Sequence, residues 1–180
     1  DYEANGLKYV SIPNSVTKIG DEAFFQCKNL TNVLLPDSIK QIGREAFSLC
    51  SSLNKVTIPK GVTSIKYKAF YNCGNLKSIL MQGGITTIGR EAFENCYNLT
   101  NITLPNSLTE IGYEAFRNCE KLVDISVPEG VKSIESRAFY RCVNLTNITL
   151  PSSLTEIEDE TFSTCEKLTS ITIPKGVKTI

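Results

Sequence analysis

Two residue types in this chain could carry chemistry, and both recur at one interval. Cysteine stands at Cys27, Cys50, Cys73, Cys96, Cys119, Cys142 and Cys165, a constant step of 23 residues. Carboxylates stand at Glu22, Glu45, Glu91, Glu114 and Glu160 on the same step, and Lys68 and Arg137 fill the two remaining places. Stacked coils would bring equivalent Cα atoms to about 5 Å, within disulfide reach. Yet seven is an odd count, and stacked side chains point the same way. The thiols are therefore expected to be reduced, buried and packed beside phenylalanine. Metal ligation by cysteine uses closely spaced pairs, often with histidine. This chain has no histidine and no such pair. Without histidine no Ser–His or Cys–His nucleophile can form. A carboxylate column with cations inserted reads as a solvated face, since nothing tunes one acid against its neighbour. Gly83-Gly84 lacks the Lys-Ser/Thr of a phosphate loop. The sequence calls for no catalytic residue, no metal ligand and no cofactor, and the chain is not expected to be an enzyme.

The elements that position these columns come from the same repeat. Phe24, Phe47, Phe70, Phe93, Phe116, Phe139 and Phe162 keep the step, as does a leucine column from Leu7 to Leu168. Proline follows it from Pro13 to Pro174, with Gln82 as the one lapse. A strict period of this length marks a solenoid. One unit cannot bury its apolar face alone, so stacked neighbours bury it for one another. The reading is one domain over residues 1–180, about seven and a half units of 23 residues, and a fragment of a longer chain.

In the unit from Leu99 to Asn118, Ile102-Thr103-Leu104 alternates in, out, in, which predicts a short strand. Pro105 has no N–H for a ladder and ends it. Leu108 and Ile111 point inward from a second extended segment, and Gly112 permits a bend. Glu114 to Cys119 is too short for a stable helix and reads as a single 3₁₀ or α turn. Stacking gives parallel strands about 4.8 Å apart, and eight coils make a rod of roughly 40 Å. The bulky phenylalanine column should splay the coils opposite the strands. The predicted fold is a right-handed repeat solenoid, mainly short parallel strands with one helical turn per repeat.

The phrase NLTNITLPNSLTEIGYEAFRNC, read from Asn98, resembles the BspA-type leucine-rich repeats. The likeness rests on the proline after the strand, the Ile-Gly step, the Ala-Phe pair and the cysteine together, and it runs from Leu7 to Ile180. Departures are local: Gln82 for Pro, Lys66, Glu135 and Glu158 for Gly, Thr161 for Ala. The resemblance implies a leucine-rich-repeat segment of a larger secreted or surface protein of bacteria or protists. Such proteins are often linked to adhesion. The family offers no catalytic residues to carry over.

Nineteen acidic and nineteen basic residues cancel, so no basic excess supports nucleic-acid binding, and no long apolar run supports membrane insertion. The outward strand positions are the best candidates for contact with a partner: Tyr9, Asn32, Leu34, Lys55, Thr57, Leu80, Asn101, Thr103, Asp124, Asn147 and Thr149. Threonine suits an exposed strand in its own right. Leu34 and Leu80 break that polar column, and Tyr9 adds an aromatic. The expected partner is a host matrix or cell-surface protein, or a glycan, met at the cell surface or in the secreted state. The alternative is a spacer that binds nothing. Sequons at Asn29, Asn98, Asn101, Asn144 and Asn147 follow from the repeat consensus itself. The last coil is expected to need a neighbour over Leu168, Ile171 and Ile173, and the first coil a lid, for which Asp1 to Gly6 offers only Tyr2. End-to-end or edge self-association is expected from both ends.

Overall fold

A computed structural model describes residues 6–180; the Tyr2 lid lies outside them. Each of the first seven units supplies two strands, and equivalent strands pair in parallel. The first ladder takes β1 (Tyr9–Ser11), β3 (Asn32–Leu34), β5 (Lys55–Ile58), β7 (Ser78–Met81) and β9 (Asn101–Ile102), then β11 (Asp124–Ser126) with β13 (Asn147–Thr149). The second pairs β2 (Lys18–Ile19) with β4 (Gln41–Ile42). It then runs through β6 (Ser64–Ile65), β8 (Thr87–Ile88), β10 (Glu110–Ile111), β12 (Ser133–Ile134) and β14 (Glu156–Ile157). Every pairing joins residues 23 apart, such as Val10 with Val33 and Ile111 with Ile134. The sequence period thus becomes the register of the sheet.

Proline works as expected. Its carbonyl accepts the N–H three residues on, as from Leu108 to Pro105 at 3.0 Å, and closes a turn between the strands. Where Gln82 replaces it, the restored N–H donates to Ile58 at 3.1 Å.

The segment from Glu114 to Cys119 differs from the expected helical turn. It is a run of tight turns with two residues per coil in the left-handed region, such as Glu114 (φ 53°) and Asn118 (φ 58°). That conformation costs about 1–2 kcal/mol for a residue with a Cβ. It is offset because alternate N–H groups then point along the rod. Glu114, Phe116 and Asn118 donate to Ser136, Ala138 and Tyr140 of the next coil, at 3.1, 2.8 and 2.9 Å. The turns are a third hydrogen-bonded ladder, each bond contributing about 0.5–1.5 kcal/mol net.

Inside, leucine, isoleucine, alanine, phenylalanine and cysteine form one buried cluster from Ile19 to Cys165. Successive phenylalanine rings stack with centroids 5.2–5.9 Å apart and interplanar angles of 4–11°. Rings so nearly parallel are related by translation, so this distance is the coil spacing at their radius. It exceeds the roughly 4.8 Å of paired strands, and the first ladder lies on the narrower side. All seven cysteines are free and buried. From Cys50 to Cys165 each thiol donates to the phenylalanine carbonyl of the coil before, at 3.1–3.4 Å. The same carbonyl accepts the cysteine N–H of its own coil, as from Cys119 to Phe116 at 3.1 Å. Both lone pairs of a buried carbonyl are thereby satisfied.

Glycine in the Ile-Gly step serves close approach more than bending. A Cβ on Gly43 would lie 2.4 Å from the Gly20 carbonyl carbon, and one on Gly112 would lie 2.8 Å from the Arg90 nitrogen. Where the column carries glutamate, the carboxylate does other work. Glu135 accepts the Tyr113 N–H at 2.6 Å, and Glu158 accepts the N–H and hydroxyl of Ser136, both at 2.9 Å. Thr161 replaces alanine and is buried, its hydroxyl donating to the Glu158 carbonyl at 2.7 Å.

Candidate functional site

The first ladder gathers the sequence candidates onto one face. In one column Tyr9 stands in register with Asn32, Asn32 with Lys55, Lys55 with Ser78 and Ser78 with Asn101. Asp124 pairs with Asn147 further along, and the Asn147 amide donates to the Asp124 carboxylate at 2.6 Å. The second outward column holds Leu34, Thr57, Leu80, Thr103 and Thr149, with Thr57 in register with Leu80. Tyr9, Leu34 and Leu80 are 51%, 53% and 51% exposed. Asn32, Lys55, Thr103, Asp124, Asn147 and Thr149 are exposed, whereas Thr57 is half-buried between its leucine neighbours.

Two of the open depressions on this face each gather two or more of these candidates. One, of 450 Å³, lies where the ladder is interrupted between β9 and β11, and brings Thr103, Asp124, Asn147 and Thr149 together. The other, of 640 Å³, joins Asn32 and Lys55 to Thr31, Ser52, Asn54, Asn75 and Lys77. These five precede the strands and were missing from the sequence candidates. A signal for them was present in the order of charges. Residues 26–81 hold eight lysines and arginines against two acids, and residues 91–180 hold thirteen acids against eight cations. The zero net charge conceals this segregation.

The carboxylate column keeps the expected solvated face at Glu22 and Glu160 but departs from it in the middle. Glu91, Glu94 and Glu114 are buried, and their carboxylate oxygens lie within 4.8 Å of one another. Oxygen clusters of this kind suit a hard divalent cation. Here side-chain cations already face them. Lys68 and Arg90 contact Glu91 at 3.1 and 2.7 Å. Arg117 contacts Glu94 at 3.5 Å and Glu114 at 3.1 Å, and Arg137 bridges Glu114 and Glu160 at 3.5 and 3.0 Å. Tyrosine rings flank the cations, with Lys68 4.6 Å from the Tyr71 centroid and Arg90 4.7 Å from that of Tyr113. Burial alone would raise the Glu91 carboxyl, but hydrogen bonds from Arg90 and Lys68 outweigh it and hold it below the usual range. Glu94 shares its one cation with Glu114. Burial, then the charges of Glu114 and Glu91, push it up to about 7. Burial likewise pushes the Cys50 thiol up to about 12 and Cys165 to about 11. Thiols this far from ionisation are poor nucleophiles and poor metal ligands at neutral pH.

A parallel solenoid with one buried leucine, phenylalanine and cysteine per 23-residue coil defines a leucine-rich-repeat scaffold. The sequence description "BspA type Leucine rich repeat region" matches residues 2–122 and 86–180, with six copies, and the chain belongs to that family. No curated protein matches the sequence. Among solved structures, a leucine-rich repeat protein of Treponema pallidum (T. pallidum) is 32% identical. The alignment covers 90% of this chain and 78% of that one, with a TM-score of 0.83. A leucine-rich repeat protein of Bacteroides ovatus is 30% identical, with 94% of this chain and 52% of that one covered and a TM-score of 0.70. A leucine rich cell surface protein of Faecalibacterium prausnitzii is 29% identical, with 90% and 58% covered and a TM-score of 0.64. The chain thus spans little more than half the length of the last two.

Proposed function

We propose that the chain is a non-catalytic binding module, a leucine-rich-repeat segment of a cell-surface or secreted adhesin that holds a partner protein on its first-ladder face. One observation carries this reading. Three large apolar side chains, Tyr9, Leu34 and Leu80, stand half exposed on a sheet whose other outward positions are polar. Leu34 and Leu80 share a column two coils apart, about 10 Å from each other at strand spacing. Exposed apolar side chains grouped on one face are the usual anchors of an interface. The name of the F. prausnitzii relative supports the surface location. The carboxylates of Glu91, Glu94 and Glu114 are buried behind their own cations, which leaves little of them open to a substrate.

Attachment of the fluorescent chain to cultured epithelial cells, followed by flow cytometry, tests the reading. Wild type should attach saturably, and Leu34→Asp/Leu80→Asp should lose at least tenfold in affinity while melting as wild type does. Attachment that survives the double substitution removes the anchors. Failure of wild type to attach to cells or to purified matrix proteins favours a spacer.

A further inference from the structure

We propose that the depression lined by Thr31, Asn32, Ser52, Asn54, Lys55, Asn75 and Lys77 binds an anionic carbohydrate chain bearing carboxylate or sulfate groups. The proposal rests on the reading of the first-ladder face as a binding surface and names the chemistry at one part of it.

The observations concern unused donors. Among the described residues, the amides of Asn32, Asn54 and Asn75 and the ammonium groups of Lys55 and Lys77 have no side-chain partner, and all five residues are exposed. Asparagines at equivalent positions elsewhere are occupied internally among the described residues. Asn98 and Asn144, in the column of Asn75, donate to the carbonyls of Gly74 and Glu120 at 2.6 and 2.7 Å. Asn147, in the column of Asn32, is bound to Asp124. Among the described residues, the depression is therefore where the face combines unpaired carboxamides with unpaired lysines. No acidic residue lines it. None occurs in the three segments 26–35, 49–58 and 72–81 that build this region, and Lys28 adds a third cation there.

The chemistry selects among anions. Carboxamides and hydroxyls each donate and accept, which matches the alternating hydroxyls of a sugar. Lysine supplies a point charge for a carboxylate or sulfate. Single-stranded nucleic acid would call for aromatic platforms and arginine, and the lining has neither. A site of 640 Å³ open to solvent suits a chain passing across it.

A biosensor carrying alginate, dextran sulfate, neutral dextran and single-stranded DNA tests the assignment at physiological salt. Wild type should bind alginate or dextran sulfate, the two arms separating carboxylate from sulfate, and should leave dextran alone. Lys55→Gln/Lys77→Gln should weaken binding at least tenfold. Asn54→Ala/Asn75→Ala should weaken it about threefold or more without changing charge, a loss that bare polyanion attraction would not produce. Equal binding to DNA with the same losses overturns the carbohydrate reading in favour of unspecific charge. Unchanged affinity in the lysine pair removes the site. Concentration-dependent dimers that the lysine pair abolishes would make the acidic half of a second copy the occupant, which also overturns it. Wild type that attaches to cells yet binds no polysaccharide overturns this assignment alone. Wild type that binds neither overturns the binding-module reading beneath it.

Discussion

Replacing Phe116 with alanine should break the rod near its middle. The ring is fully buried and stacks 5.4 Å from Phe93 on one side and 5.4 Å from Phe139 on the other. Truncating a buried phenylalanine costs about 3–5 kcal/mol in lost transfer energy and residual cavity. Two stacked partners place this site toward the upper end, since each such pair adds about 0.5–1.5 kcal/mol beyond area. Relaxation is limited because Ala115, Cys119 and the neighbouring rings are fixed by inter-coil hydrogen bonds on both sides. In a nearest-neighbour array the loss falls on two interfaces at once. Urea unfolding followed by circular dichroism should show an unfolding free energy lowered by that amount, or a second transition as the halves uncouple. Thr103→Ala, on the exposed face, should change stability by about 0.5 kcal/mol or less. A cost below about 1 kcal/mol for Phe116→Ala, or equal costs for the two, would refute the reasoning about packing.

Thiol titration should find little reaction in the native protein and seven thiols after unfolding without reductant; fewer than seven would reveal a disulfide. Gly43→Ala should destabilise by about 2 kcal/mol or more through overpacking, whereas Gly20→Ala, with open space around its Cβ, should stay within about 0.5 kcal/mol. Equal melts for these two would discount close approach as the reason for the glycine column. Glu94 binds its proton more tightly folded than unfolded, with a folded value of about 7 against an ordinary 4.5. Its contribution is fully present below about pH 4.5 and is lost as pH rises through about 7. Glu94→Gln should therefore gain in Tm relative to wild type between about pH 5 and pH 8.5, and a constant gap across that range would contradict it.

Much of the fold was legible because one interval fixes register, burial and element order together. The step that aligned Cys27 with Cys50 also aligned Val10 with Val33 and Ile111 with Ile134. The turn from Glu114 to Cys119 was less legible. Its left-handed residues are glutamate and asparagine, and only the hydrogen bonds to the next coil make that conformation favourable. The burial of Glu91, Glu94 and Glu114 was hidden for a related reason, since column chemistry shows what stacks but says little of its depth. On the first-ladder face, strand alternation indicated Tyr9, Leu34 and Leu80. Asn54, Asn75 and Lys77 escaped notice because they precede the strands, and whether an asparagine is free depends on a carbonyl in the coil beside it.

The central claim, that the first-ladder face holds the partner, is tested most directly by blocking it. Native thiols are buried, so a cysteine placed on the surface can be modified selectively. Thr57→Cys lies in register with Leu80 and in the column of Leu34, while Lys132→Cys lies just before the second ladder. Each variant is coupled to a bulky maleimide-polymer and its attachment to cells is measured. The account predicts that the polymer at position 57 abolishes attachment and that the polymer at position 132 leaves it intact. Attachment that persists with position 57 blocked, and fails with position 132 blocked, would contradict it.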